Sequence, residues 1–227
     1  MSKLSIIMPV LNEGESIAAA LDALAGMRAL GTEVIVVDGG SRDATIQRAR
    51  LRADLVISAP RGRAVQMNAG AAKATGDVLL FLHADTQISR HTDHIVLSGL
   101  ERSGRAWGRF DVRIEGRHPL LVIVGFLMNI RSRLTGIATG DQAIFARRDA
   151  FEAAGGYPEI PLMEDIALCK RLKRVSRPLC IFERAITSGR RWEENGVLAT
   201  MMLMWRLRFA YFFGADPKEL ARQYGYE

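Results

Sequence analysis

D-V-L-L-F-L-H-A-D-T, residues 77–86, is an unbroken apolar run that ends in polar residues, and E-V-I-V-V-D-G-G-S-R-D, residues 33–43, has the same form. Continuous apolar runs without alternation are typical of strands buried on both faces, as in a parallel sheet covered by helices. Asp38 and Asp85 stand where these runs end, and ligands of such sheets bind beyond the carboxyl ends of the strands. The pattern predicts a polar, metal- or nucleotide-binding site at that edge, although Asp and Gly are also ordinary turn formers.

Strand and helix signals alternate on both sides of these two runs. Further strands are predicted at 4–8 and 54–58, and Asn12 is placed to cap the first helix, with Glu15 three residues later. This order predicts an α/β fold with a doubly wound, mostly parallel central sheet flanked by helices. The second half is less regular, with strands expected at 106–115, 143–146, 179–183 and 185–187 and helices at 120–133 and 164–175.

Composition limits the class of protein and its partners. The chain has 227 residues, 48% of them hydrophobic, which suits one domain with a sizeable core. Its formal net charge of +6 fits anionic partners such as nucleotides, phosphates or anionic lipid. Nucleic acid is not expected, because there is no long Lys/Arg block and the aromatic residues are not interleaved with basic ones.

The two cysteines and the first residues indicate a reducing compartment. Cys169 and Cys180 belong to no C-x-x-C motif and are expected to be free thiols. The first apolar stretch is too short for a signal peptide, and Pro9 interrupts it. We therefore expect a cytoplasmic protein.

Two apolar segments, 120–130 and 197–213, come partway to the ~20 residues that a membrane-spanning helix needs. The second carries Arg206 and Arg208. We expect core helices for both. For the second, an interfacial helix at the inner membrane face is the alternative, since Trp, Phe, Met and Arg are its usual residues. Residues 193–227 are expected to form an amphipathic helical C-terminal extension.

Several familiar site motifs are missing from the sequence. There is no G-x-G-x-x-G after the first strand, no G-x-x-x-x-G-K-[ST] and no G-x-S-x-G. The four histidines lack the spacing of a zinc helix. The absence of these motifs disfavours a dinucleotide-binding domain, a P-loop and an α/β-hydrolase.

Seven segments between residues 4 and 192 together resemble family 2 glycosyltransferases, which have the GT-A fold. The resemblance implies a GT-A-like domain at 1–192, with a nucleotide-sugar-binding half at 1–105 and an acceptor half at 106–192. The segments are S-I-I-M-P-V-L-N-E (5–13), V-V-D-G-G-S-R-D-A-T (36–45), R-G-R-A-V-Q-M-N-A-G-A (61–71), G-D-V-L-L-F-L-H-A-D (76–85), T-G-D-Q-A-I-F (139–145), M-E-D (163–165) and G-R-R-W (189–192).

The resemblance implies a divalent metal, Mn²⁺ or Mg²⁺. Asp85 matches the last acid of the family's D-x-D motif and is assigned to the metal. Hard cations prefer carboxylate oxygens and take few protein ligands when phosphates supply the others. His83 stands where the family has the first acid. Imidazole can ligate Mn²⁺ or bond a ribose or phosphate, and a non-ligating His83 is the alternative.

The resemblance also implies a nucleotide-sugar site. Asp38 matches the acid that contacts the base or ribose, and Gly39 allows close backbone approach. Arg61 and Asn68 could contact phosphates or the donor sugar, and Asp141 could orient acceptor hydroxyls. Helix capping, solvated arginines and a plain turn are the alternatives. The residues assigned to the nucleotide-sugar are Pro9, Asn12, Glu13, Asp38, Gly39, Arg61, Asn68, His83 and Asp141.

Four residues are assigned to catalysis. Asp165 matches the general base of the family's E-D motif, with Glu164 beside it. The alternative is that both acids complement a helix N-terminus, whose dipole would depress the Asp165 pKa. Arg191 could hold the departing diphosphate, and Trp192 could shape the acceptor floor.

The sequence-based hypothesis is a metal-dependent glycosyltransferase that acts by single displacement. A UDP-sugar is favoured as donor, with a GDP-sugar as the alternative. The acceptor is unknown, and the apolar residues of 197–213 suit a lipid such as a polyprenyl phosphate, a glycolipid or a carotenoid. The rival hypotheses are a nucleotidyltransferase and a non-catalytic nucleotide-sugar-binding protein.

Overall fold

A computed structural model describes residues 2–226 and contains one eight-stranded sheet. Side chains that alternate along the central strands enter opposite cores. Ile6 and Val36 belong to one core cluster, whereas Ile7 and Val37 belong to the other. Burial on both faces explains the continuous apolar runs. The strands are β1 (Leu4–Val10), β2 (Glu33–Asp38), β3 (Leu55–Ser58), β4 (Val78–Phe81), β5 (Thr86–Gln87), β6 (Trp107–Glu115), β7 (Phe145–Arg147) and β8 (Leu179–Ser188).

The strands lie in the order β3-β2-β1-β4-β7-β6-β8-β5. Four of the seven pairings are parallel, namely β1–β2, β1–β4, β2–β3 and β6–β8. The short strand β7 is antiparallel to both β4 and β6, and it joins the regular first half of the chain to the second. The expected mostly parallel α/β sheet is thus confirmed, with antiparallel pairs at its centre and one edge.

Eleven α-helices and a 3₁₀ turn surround the sheet in the described part of the chain. The 3₁₀ turn spans Gly140–Gln142. The helices are α1 (Ile17–Asp22), α2 (Ala25–Ala29), α3 (Thr45–Arg50), α4 (Arg63–Lys73), α5 (Thr92–Ser103), α6 (Leu120–Thr135), α7 (Arg148–Ala153), α8 (Glu164–Val175), α9 (Arg190–Glu194), α10 (Val197–Phe212) and α11 (Pro217–Tyr224).

Two local predictions are wrong. Asn12 does not cap α1, which begins only at Ile17; its backbone has a φ of 54°. Its N–H donates to Ser41 Oγ at 2.8 Å, and its Oδ1 accepts from the N–H of Arg42 at 2.9 Å. Asn12 therefore joins the loops after β1 and β2. The two strands expected between 179 and 187 are one strand, β8, because both parts pair with β6 across a register shift.

The two apolar segments correspond to α6 and α10. The prediction that they are core helices is wrong for their outer faces, because large apolar side chains on both are exposed. The inner face of α10 packs with α8 and α11, where Leu207 contacts a cluster that includes Met163 and Leu220. Within residues 2–226, every helix is too short or too polar to cross a bilayer. The exposed side chains are Val122, Ile123, Phe126, Leu127, Ile130 and Leu134 on α6 and Leu198, Met202, Trp205, Phe209 and Phe212 on α10.

Candidate active site

A cavity of about 680 Å³ opens beyond the carboxyl ends of β1 and β4. Its polar wall comes from the loops after these strands, the turn at 139–141 and the start of α8, and its apolar wall comes from α6 and α10. The predicted site residues that line it are Glu13, His83, Asp85, Asp141, Glu164, Asp165, Arg191 and Trp192. The fold thus brings together residues that are up to 179 positions apart in the sequence.

His83 and Asp85 reach the cavity from the loop that follows β4. The His83 imidazole lies directly against Gly140, where a Cβ would overlap Nε2. Burial lowers the His83 pKa and Arg63 lowers it further, while Asp141 and Asp85 oppose this. Burial raises the Asp141 pKa, and His83 opposes that shift. The imidazole is therefore kept neutral beside two carboxyl groups, which is the form that can ligate a metal.

Glu164 and Asp165 enter the cavity from the first turn of α8. Met163 has a φ of 70°, an uncommon value for a non-glycine residue, and it turns the chain so that α8 begins with the two acids. Asp165 Oδ1 accepts from the N–H of Ile166 at 2.7 Å, and Oδ2 accepts from the N–H of Gly140 at 3.0 Å. Two backbone amides therefore fix the carboxylate in place.

Burial dominates the proton affinity of this acidic pair. It raises the Asp165 pKa, although the amides of Ile166 and Gly140 lower it. Burial, with a further contribution from Asp165, raises the Glu164 pKa to about 7. The expectation that the helix dipole depresses the Asp165 pKa is wrong, because loss of solvent outweighs the favourable amide contacts. A carboxyl with a raised pKa is a better general base near neutral pH.

Two arginines, Arg63 of α4 and Arg191 of α9, line the cavity and converge on tyrosines that follow α10. Arg63 Nη2 donates to the Tyr226 hydroxyl at 2.6 Å, and Arg191 Nη1 donates to the same hydroxyl at 3.4 Å. The Arg191 guanidinium also stacks on the Tyr224 ring, with Cζ 4.0 Å from the ring centre. The positive charge faces the acidic loops across the cavity, and guanidinium groups are suited to phosphate oxygens.

Six predicted nucleotide-sugar residues lie outside the lining of this cavity. Asp38 is buried at the end of β2, and its carboxylate accepts from the N–H groups of Gly40 at 2.9 Å and Ser41 at 3.0 Å. Arg61 borders a second pocket of about 580 Å³ beside Tyr226. The six are Pro9, Asn12, Asp38, Gly39, Arg61 and Asn68.

Asn68 is engaged by the protein backbone. Its Nδ2 donates to the carbonyl of Tyr157 at 2.8 Å, and its Oδ1 accepts from the Tyr157 N–H at 2.9 Å. The amide therefore ties α4 to the loop after α7. These two hydrogen bonds to the backbone of Tyr157 explain why a polar residue, Asn68, stands in an Ala-rich helix.

Sequence reasoning missed several polar contributors to the cavity, among them Arg131, Thr200, Arg208 and Tyr224. Arg131 and Arg208 each interrupt a strongly apolar helix, which is a signal that could have found them. From the sequence, Arg208 was used only to weigh a membrane-spanning helix against an interfacial one and Arg131 was not used, because facing helices cannot be paired from local pattern alone.

The cavity also offers ligands of the type that a hard divalent cation takes. Across residues 2–226, no three His, Cys, Asp or Glu side chains are grouped as a complete metal site. Asp85, Asp141 and His83 nonetheless border the same space. Since Mn²⁺ and Mg²⁺ take few protein ligands when phosphates complete the shell, these residues fit a cation that is shared with a diphosphate.

Comparison with known sequences identifies relatives of this chain. Residues 5–153 match the family model described as Glycosyl transferase family 2. The probable glycosyltransferase YdaM of Bacillus subtilis (strain 168) is 28% identical over 233 residues, 92% of this chain and 54% of the relative. The PGL/p-HBAD biosynthesis glycosyltransferase of Mycobacterium bovis (strain BCG / Pasteur 1173P2) is 38% identical over 91 residues, 37% of this chain and 36% of the relative. The chain thus spans about half the length of the first relative and about a third of the second.

Solved structures share the fold. The mannosyltransferase PcManGT of Pyrobaculum calidifontis, in complex with GDP-Man and Mn²⁺, matches with a TM-score of 0.67 at 20% identity, over 92% of this chain and 61% of that one. TarS 1–349 of S. aureus, in complex with UDP-GlcNAc, matches with a TM-score of 0.62 at 20% identity, over 81% of this chain and 55% of that one. These similarities confirm the expected GT-A-like α/β architecture.

Proposed function

This chain belongs to glycosyl transferase family 2, and from that premise we propose that it is an inverting glycosyltransferase. It moves a sugar from a nucleotide-sugar to an acceptor hydroxyl or phosphate. The observation that carries the proposal is Asp165, a half-buried carboxylate held by two backbone amides at the wall of the cavity. Asp85, His83, Arg63 and Arg191 line the same cavity.

Asp165 is the proposed general base. It removes the proton of the acceptor hydroxyl as that oxygen attacks the anomeric carbon, and its carboxylate geometry is fixed before the reaction. Such a base contributes roughly 10²–10⁴-fold to the rate. Glu164, Asp141 and Trp192 shape the acceptor side of the same space.

Arg63 and Arg191 are proposed to hold the departing nucleoside diphosphate. Negative charge builds on the diphosphate as the glycosidic bond breaks, and paired guanidinium groups bond phosphate oxygens strongly. A Mn²⁺ or Mg²⁺ ion at Asp85 would supply further neutralisation of that charge. A UDP-sugar is the favoured donor and a GDP-sugar the alternative; complexes of TarS 1–349 with UDP-GlcNAc and of PcManGT with GDP-Man support both classes.

Calorimetric titration of UDP and GDP, each with and without Mn²⁺, tests this proposal. We expect Mn²⁺-dependent binding of one nucleotide by the wild type and loss of that binding in Asp85→Asn. Asp165→Asn should keep the binding and lose sugar transfer. Asp149→Asn is the matched control, because Asp149 lies on α7 outside the cavity. Binding without turnover that Asp165→Asn leaves unchanged would favour a non-catalytic protein, and pyrophosphate release would favour a nucleotidyltransferase.

We also propose peripheral attachment to the inner membrane face through α6 and α10. Large apolar side chains on the outer faces of both helices support it. The net charge of +6 suits an anionic lipid surface.

A further inference from the structure

Buried polar atoms without a partner are concentrated at the cavity. Of the seven such side-chain atoms among the described residues, five belong to residues that line it. They include Nε and Nη2 of Arg131, Nε of Arg208 and Oγ1 of Thr200. Because native proteins pair nearly all buried polar groups, a group of unpaired donors at one cavity indicates that a ligand supplies the missing acceptors.

These donors project from two helical stripes that line the same cavity. Arg131 lies within the stripe of α6, before Leu134 and Thr135, and Arg208 is the last residue of the stripe of α10. The spacing of three or four residues places each set on one face of its helix. The stripe of α6 is Val124, Leu127, Met128, Arg131, Leu134 and Thr135, and that of α10 is Thr200, Met201, Met204, Trp205 and Arg208.

The charge of Arg131 is not neutralised by a protein ion pair. The ion pairs between described residues include neither Arg131 nor Arg208. Burial lowers the Arg131 pKa, and the more distant carboxylates of Asp165 and Asp141 only oppose this. Arg131 is half-buried, but its Nε and Nη2 atoms are buried and unpaired, and a charged guanidinium in that position favours a hydrogen-bonded anion. The ligand group is therefore anionic, and it lies on the Asp165 side of the cavity.

The other residues of α6 and α10 that line the cavity are mostly apolar, which favours a ligand with an apolar part. Leu127, Met128, Met204 and Trp205 line the cavity together with the two arginines, and Leu127 and Trp205 are also exposed to solvent. A ligand that satisfies Arg131 and Arg208 can thus extend its remainder along apolar side chains towards the surface.

We propose that Arg131 and Arg208, with Thr200, form an oxyanion site for the phosphate or carboxylate of an amphiphilic acceptor. The assignment of this ligand as acceptor rests on the proposed function; the site itself does not. The oxyanion positions the acceptor so that its reacting oxygen reaches Asp165, while the apolar part lies between α6 and α10.

Titration with n-octyl phosphate, without donor or metal, tests the site through tryptophan fluorescence, since Trp192 and Trp205 line the cavity. We expect saturable binding that Arg131→Gln and Arg208→Gln each weaken about ten- to a hundredfold, the range for losing a hydrogen bond to a charged group. Arg206→Gln is the matched control, because Arg206 is exposed on the same helix and lies outside the cavity. Unchanged affinity in both cavity variants would overturn the proposal.

Two competitors separate the oxyanion from the apolar part. Inorganic phosphate should compete weakly; competition as strong as that of octyl phosphate would overturn the amphiphilic acceptor. Octyl glucoside is neutral, so it should bind weakly, and neither arginine substitution should change its affinity. An affinity equal to that of octyl phosphate would overturn the oxyanion site. Saturating UDP with Mn²⁺ should leave octyl phosphate affinity unchanged, since displacement would place the probe at Arg63 and Arg191. If the wild type does not bind UDP, that result counts against the proposed function and leaves the oxyanion site in place.

Discussion

The carboxyl of Glu164 is 5% exposed, with Asp165 as its nearest like-charged neighbour. Its pKa of about 7 in the fold exceeds the ordinary value of 4.5. Between these two pH values the native state holds a proton that the unfolded chain has released. The contribution of Glu164 to stability is therefore fully present below about pH 4.5 and is lost as the pH rises to about 7.

Glu164→Gln should remove this pH-dependent loss. At pH 8 we expect the variant to be more stable than the wild type by up to about 3 kcal/mol, since each pKa unit corresponds to about 1.4 kcal/mol. At about pH 4, where the carboxyl is protonated in both states, the difference should vanish. Urea denaturation at the two pH values measures it, with the exposed Glu159→Gln as control. An equal effect at both pH values would contradict the assigned cause.

At the residue scale, strand-end acids were predictable and packing partners were not. Asp85 follows a recognisable apolar strand, and Asp165 opens a predicted helix at the position that the family resemblance assigned to the general base. The structure brings both to one cavity. The Asn68 side chain is hydrogen-bonded to the backbone of Tyr157, which lies 89 positions later in the sequence. Arg131 of α6 lines the cavity together with residues of α10. Such contacts depend on tertiary packing, so a local pattern could not reveal them.

At the element scale, α6 and α10 are the elements with the least ordinary surfaces. Phe126 is 62% exposed and Phe209 is 68% exposed, although phenylalanine is usually buried. Exposed apolar residues of this size are the kind of surface found at binding faces. The positions of both helices were predicted correctly from the sequence, but apolar content alone could not distinguish a buried face from an exposed one.

Substituting both Phe126 and Phe209 by Ser should weaken attachment to anionic vesicles. Burial of one such side chain contributes about 1.5–3 kcal/mol, so the partition coefficient should fall at least tenfold. Flotation with phosphatidylglycerol-containing liposomes at low salt measures it. Leu51→Ser is the control, because Leu51 is 81% exposed but belongs to neither helix. A wild-type protein that stays unbound at low salt would refute membrane attachment.

Across the whole molecule, distant parts of the chain complete one site. Strand β7 enters the sheet between β4 and β6, and the segment after α10 returns to hold Arg63 and Arg191. The parallel first half followed from alternating strand and helix signals. The position of β7 and the return of Tyr226 did not, because long-range pairing leaves no local trace in the sequence.

Tyr226→Phe should raise the KM for the nucleotide-sugar. The hydroxyl accepts from both arginines, and its loss frees the two guanidinium groups that we assign to the diphosphate. A hydrogen bond to a charged group contributes about 1.5–3 kcal/mol, part of which reappears as a KM increase of roughly tenfold. Steady-state kinetics or nucleotide calorimetry checks this, with Tyr211→Phe on α10 as control. An unchanged KM would show that the arginines need no such support.

Arg63 and Tyr226, which are in contact, are 163 positions apart in the sequence. The order in which the chain is synthesised therefore affects when the site can form. A ribosome delivers β1 to β4, with Asp38 and Asp85, well before it reaches codon 226. Chains fold from the N-terminal side as they emerge. The nascent chain can therefore pair β1 to β4 before Arg191 is made and while Arg63 still lacks its tyrosine support. A chain that stops short of Tyr226 lacks the hydroxyl that both arginines contact in the complete site.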